Sequence, residues 1–489
     1  MGEEIMNFTS DLYQPKRLEE VASLLKNRLS EYLTLLHNKD CDIKFPIPNA
    51  KELEEEIQHF LNDCEAKKYE WFHSQEWIIT HLLKNSRALH SPNYIGHQVA
   101  APIPFAAIWD GVSGVINQGA AVYEMGPFVL AAERAIVKRL SKYISDSVEF
   151  EGVVTHGGTL ANLTALLAAR NIKVEASFSK GINLDSLAGK KLAILTSSET
   201  HYSISRAAAV LGIGQDQVIK IPVHKHNRKI VEEELEKIYQ QKTQEGLHIF
   251  ALIGSACSTP TGAIDPLRSM GEFSQKHNLW FHVDAAHGGG LLLSSQLRPL
   301  FDGIELADSI VWDAHKMMFV PALCTFVFYK NKAHSFQAFS QEAPYLFGDN
   351  EQLYDYESGL RTFECTKGSL VLPLLSVLST VGEKGIGELN ELLVANTKEF
   401  ARIISETEDF EVYHQPEVNI LVFGLKDQQN VIHDRIRAEL LNEGTFYITS
   451  TLIDGRRGFR LTVMNPLTTT DNLKQLLKRI SYGSNLPTL

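Results

Sequence analysis

The chain has 489 residues, 44% of them hydrophobic and 22% charged, enough for two or more domains around a sizeable core. Its formal charge of -12 argues against a nucleic-acid partner, but not against an anionic small molecule gripped by one or two placed arginines. Five scattered cysteines (Cys41, Cys64, Cys257, Cys324 and Cys365) make neither a disulfide framework nor a CxxC metal pair, which suits a reducing, cytoplasmic compartment, and no apolar run reaches the ~20 residues of a membrane span.

Taken in chain order, the opening "MGEEIMNFTSDLYQ" is acidic and has no signal-peptide core. Residues 1–88 read as a helical extension. In "KELEEEIQHFLNDCEAKKYEWFHSQEWIITHLLKN" apolar residues return at helical spacing on a segment too polar to build its own core. It is expected to pack on the rest of the chain or on a second subunit. From 89 to 365 short apolar runs alternate with helical stretches: "KLAILTSSE", "HIFALIGSA", "LWFHVDAA", "DSIVWDA" and "LCTFVFYK". Runs of that kind predict buried strands of a helix-covered sheet, which places ligands at strand ends.

The aperiodic stretch 331–360, "NKAHSFQAFSQEAPYLFGDNEQLYDYESGL", predicts a loop or lid. Residues 366–489 predict a smaller domain. "SLVLPLLSVLSTVGEKGIGELNELLVANTKEFARIISE" reads as a helix pair, and "NILVFGL" and "RRGFRLTVMN" as strands. The expected class is α/β, with a large, mostly parallel sheet domain, a helical N-terminal extension and a small α+β C-terminal domain.

The polar residues that need explaining fall where the apolar runs end. Lys316 follows His315 just after "DSIVW". Alone it reads as a surface lysine; in an apolar surrounding it would be a nucleophile toward an aldehyde. Asp284 ends the apolar run of "WFHVDAAHGGG", where a carboxylate needs a cationic or hydrogen-donating partner. A protonated pyridine nitrogen is such a partner, and Ala286 would then present a methyl to one ring face. His282 either bonds within the site or fills space.

In "VVTHGGTLANLTALLAARN" a strand runs through paired glycines into a helix, a phosphate seat as well as an ordinary turn. In "TSSETHYSISRAAAVLG" His201 sits between strand and helix, as a structural cap or a ring that stacks on a flat cofactor. Ser258 and Thr259, in "GSACSTPTGAIDP", offer hydroxyls at another strand end. No standard metal-ligand spacing occurs. One ligand answers all these features: an aromatic ring with an aldehyde, a ring nitrogen and a phosphate, which is pyridoxal 5'-phosphate.

"TSSETHYSISRAAAVLG", "HVDAAHGGGLLLS" and "VWDAHKMMFVP" together resemble the group II pyridoxal-phosphate-dependent amino acid decarboxylases. That family includes the glutamate, cysteine sulfinate, diaminobutyrate and aromatic amino acid enzymes, and the likeness runs from about 90 to 465. It implies the pyridoxal-phosphate-dependent transferase fold of type I and a homodimer with active sites at the subunit interface. It makes Lys316 the Schiff-base lysine, Asp284 the partner of the ring nitrogen, and His201 and Ala286 the residues on the two ring faces. Gly158, Thr159 and His315 would hold phosphate. Arg460, in "GFRLTVMNP", would grip the substrate α-carboxylate, where a bidentate guanidinium suits better than an amine. Tyr345, in "EAPYLFGD", would return a proton to the substrate α-carbon. By themselves Arg460 reads equally as a solvated strand arginine and Tyr345 as a packing aromatic.

Three departures stand out. Asp313-Ala314-His315-Lys316 replaces the family's usual Asn-Pro-His-Lys, which puts a carboxylate where an amide would face phosphate. His287 stands where the glutamate-like branch has Trp. "SPNYIGHQ" departs from that branch's "HPRFFNQ", so His97 or Gln98 would meet the substrate side chain. The expected reaction is decarboxylation of an L-amino acid to CO2 and a primary amine, with an acidic substrate (glutamate, aspartate or cysteine sulfinate) favoured. Alternatives are a diaminobutyrate or aromatic substrate, another pyridoxal enzyme such as an aminotransferase, and an inactive relative that only binds.

Overall fold

The structure, a computed structural model, describes residues 13–37, 44–66, 70–175, 177–182, 187–339 and 353–484. Its main sheet has seven strands: β1 (Glu151–Thr155), β2 (Lys191–Ser197), β3 (Val218–Ile221), β4 (Leu247–Ser255), β5 (Trp280–Asp284), β6 (Ser309–Asp313) and β7 (Thr325–Tyr329). They lie in the order β1-β7-β6-β5-β4-β2-β3. Neighbours from β3 through β6 pair in parallel, and β7 alone runs against both β6 and β1. The unbroken apolar runs are explained by burial on both faces: β1, β5, β6 and β7 have every residue buried.

Crossover helices follow most strands, among them Gly158–Lys173 after β1, Tyr202–Val210 after β2 and Leu267–Lys276 after β4. The first of these packs through small residues. Ala161, Ala165, Ala168 and Ala169 join Ile194, Ile253, Val311 and Val327 in one buried cluster, so helix and sheet approach closely. The C-terminal ends of β1, β2, β4, β5 and β6 all open on one sheet edge, which is where such a sheet offers a ligand site. The edge strand β3 had no distinct signal in the sequence; it is four residues long and only its two ends are buried.

A second sheet, in the order β10-β11-β9-β8, contains β8 (Phe410–Val412), β9 (Ile420–Leu425), β10 (Thr449–Ile453) and β11 (Arg456–Thr462). The helix pair Leu372–Thr380 and Gly382–Glu406 precedes it. The longer helix buries Ile386, Leu393, Phe400 and Ile404, a stripe at helical spacing.

The chain folds into two compact units. One comprises Gly96–Asn430 and Ser450–Pro466; the other comprises Val431–Thr449, Leu467–Leu489 and the segment up to Ile95. In the second unit the helices Pro15–His37, Ala50–Glu65 and Trp71–Asn85 bear out the helical reading of the N-terminal segment. Asn49 caps the middle helix by accepting from the amides of Lys51 and Glu52. Phe60 stacks on Trp77 with ring centroids 3.8 Å apart, and Phe45 donates its amide to the Gly444 carbonyl. Among the described residues no helix is long and apolar enough to cross a membrane.

Candidate active site

The strand ends of the first unit enclose a cavity of about 310 Å³. Its wall brings together Lys316, Asp284, His201, Ala286, Gly158, Thr159, Ser258, Thr259, Asp313, His315, His287 and Gln98, twelve positions singled out in the sequence. His97 is exposed and not part of that wall, so of the two neighbours Gln98 faces the cavity. Tyr345 and the middle of the expected lid, 340–352, lie outside the described residues.

Arg460 is also absent from the wall. It is buried on β11, where it donates to the Thr259 carbonyl from Nη2 at 2.7 Å and from Nε at 3.0 Å. Its Nη1 donates to the Gly96 carbonyl, two residues before Gln98. Burial pulls its guanidinium down to about 10. Its visible role is to tie the Thr259 turn and the Gly96–Gln98 segment together.

Asp284 ends β5 and accepts two neutral donors, Asn162 Nδ2 at 2.9 Å and the Ala286 amide at 3.1 Å. Asn162 lies at the start of the second turn of the helix Gly158–Lys173 and was missed in the sequence. The signal was present: it is an amide inside the apolar run "LANLTALLAA", and a buried amide there needs partners. The same Nδ2 donates to Ser203 Oγ at 2.9 Å, and Ser203 Oγ lies 2.8 Å from His201 Nδ1. His201 thus caps the helix Tyr202–Val210, the first of the two readings left open for it, and also lines the cavity. Burial pushes its imidazole below the ordinary range. His282 is wholly buried behind Asp284, with Nε2 2.9 Å from Asn162 Oδ1, so it bonds within the site without lining the cavity. Burial brings it down to about 4.

Lys316, on the short helix Ala314–Met317 after β6, is neither the free surface lysine nor the amine in an apolar surrounding that were weighed from the sequence. Its Nζ meets Asp313 Oδ2 at 2.9 Å. Asp313 is 1% exposed, lies 3.5 Å from His315 Nε2 and accepts from Thr325 Oγ1 at 2.6 Å. Burial pushes its carboxyl up, but Lys316, His315 and Thr325 outweigh burial and hold it below its ordinary value.

A methyl added at Gly158 would come within 3.2 Å of both Asp313 oxygens and 3.4 Å of Ala286 Cβ, so glycine keeps this end of the helix open. The glycines after Ala286 have a different task. A Cβ at Gly289 would lie 2.3 Å from the Trp312 ring, so that run closes the core and does not admit a flat ligand.

His287 is 2% exposed and lines the cavity. Asn419 donates its amide to the Val463 carbonyl, so its oxygen accepts His287 Nε2–H at 2.8 Å. His287 Nδ1 is then an acceptor with no hydrogen-bond partner among the described residues, and burial brings the ring down to about 3. Ser258 Oγ is 2.9 Å from Thr261 Oγ1, which donates to Glu199; Glu199 in turn pairs with Arg228.

This donor set fits pyridoxal phosphate. An amine and a carboxylate share one cavity, hydroxyls come from Thr159, Ser258 and Thr259, and the first-turn amides of the helix Gly158–Lys173 have no partner within it. Asp313 is the one group at odds with a phosphate.

Comparison with known proteins agrees. Residues 80–426 match the pyridoxal-dependent decarboxylase conserved domain. The aspartate 1-decarboxylase of Aliivibrio fischeri is 30% identical over 450 residues, covering 82% of this chain and 81% of that protein. The L-2,4-diaminobutyrate decarboxylase of Acinetobacter baumannii is 27% identical, covering 83% and 82%. A crystal structure of mouse CSAD shares the fold with a TM-score of 0.86 at 23% identity, covering 97% of this chain and all of that one (100%). The strand-end cavity with its lysine and carboxylate, the type I fold and the matched domain place this chain in the pyridoxal-dependent decarboxylase family.

Proposed function

We propose that this protein decarboxylates an acidic L-amino acid, with pyridoxal phosphate held by Lys316, as a cytoplasmic homodimer. The observation that carries the reading is the convergence of Lys316 and Asp284 on one cavity beside a helix start. When bound, the cofactor supplies an electron sink for the electron pair left as CO2 departs. The chain does the rest. Lys316 would hold the aldehyde carbon, and Asp284 would pair with the ring nitrogen. The helix-start amides and Thr159 would take the phosphate, and Ala286 and His201 would bound the ring. Tyr345 would return the proton to the α-carbon.

Two observations support an acidic substrate: the aspartate-specific name of the 30% identical relative, and the Gln98 amide in the cavity wall, a donor for a distal carboxylate. Arg460 would serve the α-carboxylate through the segment it braces, Gly96–Gln98.

A second reading, diaminobutyrate, has its own observation. His287 Nδ1, unpartnered among the described residues, is an acceptor, which suits an amine donor, and the 27% identical relative carries that substrate's name. The test offers L-glutamate, L-aspartate, L-cysteine sulfinate, L-2,4-diaminobutyrate and aromatic amino acids to protein loaded with pyridoxal phosphate. CO2 and amine in equal amounts from an acidic substrate, lost in Lys316→Ala, is the expected result. Turnover of diaminobutyrate alone selects the second reading, and cofactor bound without CO2 from any of them refutes both.

A further inference from the structure

We infer that Asn162 is a positioning residue that joins Asp284 and His201 in one directed hydrogen-bond network and sets the proton position on two histidines, the buried His282 and the cavity-lining His201.

The direction follows from donors alone. The indole of Trp280 can only donate, so Ser309 Oγ accepts from Nε1 at 2.8 Å. The Ser309 proton is then free for His282 Nδ1, also at 2.8 Å. His282 keeps its own proton on Nε2 and gives it to Asn162 Oδ1 at 2.9 Å. The two Asn162 Nδ2 protons go to Asp284 Oδ2 and Ser203 Oγ, each at 2.9 Å. Ser203 Oγ is left to donate to His201 Nδ1 at 2.8 Å, the same nitrogen that accepts the Ser203 amide at 3.3 Å. His201 therefore carries its proton on Nε2.

A flipped Asn162 amide would set its oxygen against the Asp284 carboxylate, with repulsion and no donor between them. Ser203, His282, Ser309 and Trp280 are buried behind the cavity wall, and Asn162, itself 1% exposed, is the member that lines it. The consequence for the site is specific. Among the described residues Asp284 receives the neutral donors Asn162 Nδ2 and the Ala286 amide, and its orientation and that of the His201 ring depend on the same side chain.

The network can be read in the cofactor-free protein. Imidazole 15N signals should show His282 and His201 both as neutral Nε2–H tautomers. Asn162→Ala should mix the tautomers of both rings and weaken pyridoxal phosphate binding about tenfold, the scale of one lost charge-assisted hydrogen bond. In the loaded enzyme kcat should fall more than KM rises. Ser203→Ala should change the His201 signal and leave His282 alone; it also decides the matter where Asn162→Ala fails to fold. His282 protonated on Nδ1 in the wild type, or unchanged rings in Ser203→Ala and in folded Asn162→Ala, would overturn the inference. The affinity arm rests on the pyridoxal-phosphate reading of the cavity. Wild-type protein that does not bind the cofactor sinks that reading, whereas the tautomers test the network without it.

Discussion

Replacing Asp313 by Asn tests the departure that most affects cofactor loading. The carboxylate is buried and holds the Lys316 ammonium at 2.9 Å, with His315 at 3.5 Å and the Thr325 hydroxyl at 2.6 Å. At an effective dielectric of about 20, the Lys316 contact has a gross attraction of about 6 kcal/mol. Desolvation of a carboxylate this deeply buried cancels most of it, which leaves a net of about 1–2 kcal/mol. In the proposed reading Lys316 would have to give up this pair to hold the cofactor, because an amine must be neutral to attack an aldehyde.

The amide of Asp313→Asn keeps the shape and an acceptor for Thr325 but releases Lys316 and removes a negative charge beside Gly158. Pyridoxal phosphate should bind about tenfold more tightly, the equivalent of about 1.4 kcal/mol. The cofactor-free protein should lose about 1–2 kcal/mol of stability, the net value of the pair. Absorbance titration of cofactor-free protein and thermal denaturation measure the two effects. Binding no tighter than in the wild type would falsify the claim that Asp313 competes for Lys316. The sign with pH is fixed as well. A carboxyl held below its ordinary 3.8 contributes stability fully above about pH 4 and loses it as the pH falls through its folded value.

The remaining predictions are shorter. Burial lowers His282 to about 4, His287 to about 3 and His414 to about 4. Each must take up a proton on unfolding in acid, so stability is full above about pH 6.5 and declines as the pH falls toward those values. Each contributes up to roughly 3 kcal/mol, and His287→Phe should flatten part of the decline in melting temperature between pH 6.5 and 4. A decline as steep in His287→Phe as in the wild type would contradict its assignment as a neutral ring. Gly289→Ala drives a methyl into the Trp312 ring and should cost about 1–3 kcal/mol or more in a denaturant titration. An unchanged midpoint would show that the contact relaxes freely.

The features legible in the sequence were those written in consecutive residues. Buried strands leave unbroken apolar runs, so β2, β4, β5, β6 and β7 were readable, and His201, Asp284 and Lys316 stood out as polar groups after β2, β5 and β6. What was not legible depends on residues brought together from distant segments. Lys316 reads as a lysine in apolar company until β6 and its following turn place Asp313 against it. His97 and Gln98 differ only in which way the backbone turns, and one is exposed while the other lines the cavity. Arg460 reads as a carboxylate grip, yet its nearest acceptors are carbonyls of Thr259 and Gly96, from segments about 200 and 360 residues away (separations of 201 and 364). The small residues after Asp284 gave a mixed signal: Ala286 faces the cavity, whereas Gly289 faces Trp312.

The cavity holds two buried carboxylates, and their partners assign them different tasks. Asp313 already faces the Lys316 amine at 2.9 Å, with His315 Nε2 at 3.5 Å, so a further cation gains little there. Asp284 is met by an amide side chain and a backbone amide, donors that orient the carboxylate without neutralising its charge. In the proposed reading a ligand cation such as a pyridinium would therefore pair with Asp284, and the negative phosphate end would lie away from it, at the amides that begin the helix Gly158–Lys173. That assignment needs Asn162 as much as Asp284. With a lysine or arginine at position 162, Asp284 would be paired like Asp313 and the cavity would lose its one carboxylate open to a ligand cation.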